Sequence, residues 1–177
     1  MLTLDLGCGV KRECDVNLDI NSNVNPDIVS DLNYLPFKHQ SFSLVNFNNS
    51  LEHVKNPSIP ISEARRVLIK KGIISIKFPN HFSLVTFFRF IKRKPYLHIS
   101  KTDIFYDKHW SYLSIPKLII LFIRDNFMPF KIVPELEYLT RALLRSRLSP
   151  SQVRAMRIIY TLCPYFCPDV TLFGYKR

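Results

Sequence analysis

The sequence predicts an α/β fold: a mostly parallel sheet with helices on both faces, finished by an antiparallel pair of strands. Three observations carry this. An apolar run, Leu4-Asp5-Leu6, stops on the glycine turn Gly7-Cys8-Gly9; short apolar segments then recur and end on acids or asparagines; and a β-rich run, Val170 to Tyr175, comes late. Segments of that kind suit a parallel sheet, whose ligand loops gather at the carboxyl ends of its strands.

The first strand ends where glycine admits left-handed backbone and lets a ligand come close. Only Val10 to Asp15 then separate the turn from a second strand, Val16-Asn17-Leu18-Asp19. A crossover helix of about ten residues has no room there. The first crossover helix is therefore expected to be absent, which leaves one sheet face uncovered near the turn unless another segment or a second subunit covers it. The same stretch excludes a dinucleotide fingerprint, because position 12 is Arg12 rather than glycine, no helix follows and Asp19 comes too soon.

Asn25-Pro26-Asp27 reads as a turn, and Ile28-Val29 as a short strand delivering Asp31 and Leu32. Ser43 to Phe47 is the strand expected at the sheet centre, beside the glycine strand. Pro57 to Lys70 reads as a helix with Ile61, Ala64, Val67 and Leu68 near one face, and Gly72 is placed to cap it. Ile73 to Phe78 follows as a strand, stopped by Pro79-Asn80. Ser114 is expected to cap a helix rich in Leu118, Ile119, Leu121 and Phe122. Phe130 to Tyr138 and Val170 to Tyr175 form the expected antiparallel pair. Between them lies a helical insertion, 139–168, whose helix opens at Ser149-Pro150.

From Leu4 to Asn80, and again over Asp169 to Tyr175, this series resembles the class I S-adenosylmethionine-dependent methyltransferases. It is most similar to the small-molecule branch, in a short form that begins on the glycine strand and passes by a loop to an Asn-x-Asp strand. The resemblance implies a Rossmann-like sheet and S-adenosylmethionine as cofactor. The implied cofactor residues are Asp5, Leu6, Gly7, Cys8, Gly9, Asp19, Ile20, Asp31, Leu32 and Asn48. Asp19 suits a ribose diol, although an acid after a strand also serves as a plain turn residue. Asp31 would accept from the adenine amine while Leu32 covers the ring. The family's Pro-Gly-Gly turn is Lys71-Gly72-Ile73 here, a departure from the pattern.

Leu51-Glu52-His53-Val54 resembles the branch acting on small molecules and on lipid or sugar intermediates, and no Pro-Pro-aromatic turn of base-modifying relatives follows Asn48. His109 and Trp110 are acceptor-pocket candidates by the same resemblance. For a hydroxyl acceptor, His53 or His109 is the candidate base, since imidazole titrates in the useful range. One domain is expected over 1–177, with 1–80 as its cofactor half and 81–129 on the acceptor side. The alternative is a non-catalytic relative that keeps the fold as a binding or partner module.

Charge separates the two halves of the chain. Residues 1–60 hold four Lys/Arg against seven Asp/Glu, whereas 61–177 hold twenty-one against seven. The acidic front suits a cationic donor. The basic back suits an anionic acceptor, or simply solvates the surface. The insertion interleaves apolar residues with Arg141, Arg145, Arg147, Arg154 and Arg157, a pattern that fits packing on the sheet, a homodimer interface or peripheral membrane contact. Nucleic acid is not expected, for no RNA-recognition signature or zinc knuckle is present. No apolar run approaches a membrane span and no signal peptide opens the chain, so a cytoplasmic protein is expected, with Cys8, Cys14, Cys163 and Cys167 as free thiols and no metal.

Overall fold

The short apolar segments of the front half become the parallel strands of one sheet. The computed structural model describes residues 1–83, 110–136 and 149–177. Strands β1 (Thr3–Leu6), β2 (Val16–Asp19), β3 (Ile28–Val29) and β4 (Phe42–Asn48) precede helix α1 (Ser58–Val67) and the long strand β5 (Leu68–Pro79). Helix α2 (Ile115–Arg124), strand β6 (Phe127–Pro134), helix α3 (Pro150–Leu162) and strand β7 (Asp169–Lys176) follow. The strand order is β3-β2-β1-β4-β5-β7-β6. Neighbours among β1 to β5 run parallel, and β7 enters antiparallel between β5 and β6. This is the Rossmann-like arrangement the sequence predicts, with β4 beside the glycine strand. Between Gly9 and Val16 the chain is a loop, as its length requires.

Register sorts the side chains by face. Leu4, Val45 and Ile74 form one row and Leu6, Phe47 and Ile76 the next, all fully buried. Each such side chain contributes roughly 1.5–3 kcal/mol. The rows continue into Gly174 and Leu172 of β7. Helix α2 lies on this face: a Cβ at Gly174 would come 2.7 Å from the Phe122 ring, so the missing side chain is what lets the helix approach. Helix α1 packs against α2 and β5 and buries Ile61, Ala64 and Val67. The opposite face carries a polar row, Asp5, Asn46 and Ser75.

Both later helices start as their caps dictate. Ser114 Oγ accepts from Lys117 N (3.4 Å), and Ser149 forms a full capping box with Gln152, with Pro150 in the first turn. Helix α3 stands beside β6.

Two boundaries differ from the sequence reading. Helix α1 ends at Val67, not Lys70, because Leu68 takes extended backbone (ψ 139°), buries its side chain and pairs with Phe42. The chain then bulges before pairing resumes at Leu44 and Ile73, with Lys71 at φ 61°. Gly72 lies inside that bulge, where a Cβ would sit 2.9 Å from Leu68 Cδ2 and 3.0 Å from Ile69 O. It therefore serves the strand and does not cap the helix. Strand β6 runs from Phe127 rather than Phe130 and stops at Pro134 rather than reaching Tyr138, since Phe127 is drawn into the core against Phe122 (centroids 5.4 Å apart).

Candidate functional site

The glycine turn is held by backbone and by two neighbouring loops. Gly7 N and Cys8 N both donate to Leu18 O, at 2.8 and 3.1 Å, tying the turn to the end of β2. Gly7 has φ +74°, and a Cβ there would lie 2.4 Å from Ser50 Cβ. Ser50 Oγ in turn donates to Leu6 O at 2.6 Å. The loops after β1 and β4 thus interlock at a position no side chain can occupy. Gly9 differs: its φ is +55°, but an added Cβ would meet nothing within 4 Å, so its bare Cα faces open space.

Asp19 closes the turn from the other side. Its Oδ2 accepts from Gly9 N (2.8 Å) and its Oδ1 from Asn21 N (2.9 Å). A carboxylate has about four acceptor sites, so both oxygens keep capacity for a diol. Asp31 Oδ1 accepts from Asn33 N and Asn33 Nδ2, both at 2.9 Å, and its Oδ2 makes no hydrogen bond with the described residues. The loop bearing Asp31 and Leu32 is clamped to α1: Arg66 donates to Leu35 O, Phe37 O and both Glu63 oxygens, while Leu35 N donates to Glu63 Oε2.

These loops surround a cavity of about 820 Å3 at the carboxyl ends of β1, β2 and β4. Of the residues expected at the site, Gly7, Cys8, Gly9, Asp19 and Ile20 line it from one side, and Asp31, Leu32, Asn48, His53 and Trp110 from the others. Asp5 and Leu6, also expected at the site, stand behind the turn rather than among the lining residues. Both are fully buried in β1. Burial pushes the Asp5 carboxyl up to about 6, against the hydrogen bond from Asn46 Nδ2 (3.2 Å), and its Oδ2 has no partner. His109 lies outside the described residues.

The wall also contains residues not foreseen from sequence, among them Lys11, Asn21, Ser50 and Lys55. Ser50 could have been found from its place just after the central strand, opposite a glycine that needs a small neighbour. Lys55 had no sequence signal; its Nζ sits 4.9 Å from the Trp110 ring centroid, a cation–π contact at the cavity rim. Behind the wall, Glu52 is buried with Oε2 unpartnered, and desolvation pushes its carboxyl up to about 8. Its carbonyl accepts from Trp110 N and Ser111 N, both at 3.0 Å, so this turn holds the Trp110 segment in place. Among the described residues no cluster of His, Cys, Asp and Glu could hold a metal ion.

The residues present fit S-adenosylmethionine. Gly9 leaves backbone open to a ligand, Asp19 and Asp31 keep free acceptor capacity for hydroxyls and an amine, and Leu32 offers an apolar surface.

Comparison with known proteins agrees. Residues 4–76 match the methyltransferase domain family. An uncharacterized protein of Methanocaldococcus jannaschii is 35% identical over 98 residues, which is 48% of this chain and 43% of that protein, so the match spans under half of the relative's length. An S-adenosylmethionine-dependent methyltransferase structure from Thermotoga maritima superposes with a TM-score of 0.66 at 17% identity, covering 99% of this chain and 82% of that one. The [4+2]-cyclase SpnF superposes at 0.59 with 13% identity, covering 98% and 74%, and at such identities the likeness is one of fold. Taken together with the sheet order and the cavity, residues 4–76 are similar to the methyltransferase domain family across the glycine turn and strands β1 to β5, and the chain shares the Rossmann-like fold of S-adenosylmethionine-dependent methyltransferase structures.

Proposed function

We propose that this protein transfers the methyl group of S-adenosylmethionine to a small or lipid- or sugar-linked acceptor that carries negative charge. The observation behind this reading is the convergence of the glycine turn, Asp19, Asp31, His53 and Trp110 on one cavity. When bound, the cofactor supplies a methyl group already activated on a sulfonium. The protein's work is then to bind, to orient and to exclude water.

Asp19 and Asp31 hold the donor by its hydroxyls and amine, and the Leu32 side chain covers its ring. Trp110 and Lys55 form the rim on the acceptor side, where the Lys55 ammonium favours an anionic group. His53, in the turn after β4, takes the proton from an acceptor hydroxyl. Calorimetry with S-adenosylmethionine and S-adenosylhomocysteine tests the donor site, and labelled methyl transfer to a panel of anionic metabolites and polyprenyl-linked sugars tests the acceptor. Binding of neither nucleoside would favour a non-catalytic module. If His53 is the base, His53→Asn lowers turnover by about 100-fold or more and leaves donor affinity unchanged; undiminished turnover at every pH would remove that role.

A further inference from the structure

We propose that helix α3 and the turn after it dock this protein on the surface of an anionic lipid bilayer. The inference stands whichever acceptor is methylated. Helix α3 packs Val153, Met156 and Tyr160 inward. With 3.6 residues per turn, Ala155, Ile158, Ile159 and Leu162 then fall on the opposite side. All four are exposed, Leu162 at 75% and Ile158 at 56%. A helix that only covers a sheet needs one apolar stripe; this one has a second, turned away from the core.

The outward stripe continues into exposed aromatics. Tyr165 and Phe166 follow in the 3-10 turn Pro164–Phe166. Asn80 fixes that turn: its Nδ2 donates to Tyr165 O (2.8 Å) and Cys167 O (3.0 Å), and its N to Pro168 O (2.6 Å). The same Asn80 accepts from Phe82 N, and Phe82 is exposed as well. Asn80 directly follows β5, which runs parallel to β4. The patch therefore lies at the end of the sheet where the cavity opens.

Charge decides the occupant. Residues 149–168, the helix with its cap and the turn after it, contain two arginines, Arg154 and Arg157, and no Asp or Glu. Arg154 and Arg157, both exposed, lie along one side of the outward stripe and make no ion pair with the described residues. A nucleic acid would satisfy the arginines but leave Ile158 and Leu162 in water. A second copy would bring two basic helices together. Anionic headgroups above an acyl boundary satisfy both parts at once.

Co-sedimentation of the whole chain with phosphatidylcholine vesicles, and with vesicles that also contain phosphatidylglycerol, tests the proposal. Binding is expected to the anionic vesicles at low salt, at least about tenfold tighter than to the neutral ones, and to weaken as salt rises. Ile158→Glu with Leu162→Glu should reduce it about tenfold or more, and Arg154→Gln with Arg157→Gln about tenfold, at unchanged thermal midpoints since all four positions are exposed. Absence of binding to anionic vesicles at low salt, or undiminished binding of the Ile158/Leu162 variant, would overturn the proposal. So would a lipid-free dimer, seen by light scattering, that the same variant splits. Donor binding is read separately by calorimetry, so failure of the methyl-transfer reading and failure of this one are distinguishable.

Discussion

Gly7 and Gly9 sit in one turn but answer to different constraints. Gly7→Ala places a methyl against Ser50 at a left-handed position and is expected to cost about 2–4 kcal/mol of stability in urea denaturation. Gly9→Ala carries only the backbone penalty of about 1–2 kcal/mol, because its surroundings are open. Its effect should appear instead in calorimetry, as loss of S-adenosylmethionine affinity where the added methyl fills ligand space. Asp19→Ala strips the acceptor from Gly9 N and Asn21 N together. We expect at least about a tenfold loss of donor affinity, accompanied by a loss of about 1–3 kcal/mol in stability. Asp31→Ala frees only Asn33, so its cost should fall on affinity alone.

Among elements, α1 does more than cover the sheet. Through Arg66 and Glu63 it positions the loop that presents Asp31 and Leu32. Hydrogen bonds from Arg66 hold the Glu63 carboxyl below its ordinary 4.5. A depressed carboxyl stabilises the fold above its ordinary value, and that contribution disappears as pH falls through the lower, folded one. Arg66→Ala should cost about 2–3 kcal/mol at neutral pH, flatten the acid limb of the stability profile and weaken donor binding. Denaturant midpoints at neutral and acid pH, with calorimetry at pH 7, check all three.

The strands of this fold were legible because each apolar run is short and ends on a residue type with one clear use: glycine at Gly7, acid at Asp19, asparagine at Asn48. The empty crossover was legible from length alone. The end of α1 was not, since Ile69, Lys70 and Lys71 suit a helix locally and only the pairing of Leu68 with Phe42 overrides them. The placement of Asp5 was hidden for a related reason. Strand alternation turns its side chain into the polar row with Asn46 while the backbone alone proceeds to the ligand turn. Lys55 was hidden because its role comes from Trp110, more than fifty residues on.

At the scale of the whole molecule, three carboxyls, Asp5 and Glu52 buried and Asp169 half-buried, share one sign of shift. Burial raises Asp5 and Asp169 to about 6 and Glu52 to about 8. A raised carboxyl stabilises the fold below its ordinary value and ceases to do so as pH rises through the folded one. The protein should therefore lose stability from about pH 4 upward in two stages, a steeper one that ends near pH 6, where Asp5 and Asp169 have ionised, and an upper one that Glu52 alone carries from there to about pH 8, with Lys176, lowered by burial, acting the opposite way in the alkaline range. Thermal midpoints from pH 5 to 9 test this, and Glu52→Gln should abolish the upper stage. A midpoint rising steadily over that range would contradict it.

The position of β7 between β5 and β6 has a consequence for biosynthesis. β5 is complete at Pro79, yet its second neighbour begins only at Asp169, about ninety residues later. At typical elongation rates of about 5–20 residues per second, the nascent chain carries an unsatisfied, isoleucine-rich strand edge for several seconds after it leaves the ribosome. Chaperone demand should then fall on this interval, and a ribosome stalled before codon 169 should hold a polypeptide that trigger-factor-like holdases still engage and proteases still cut.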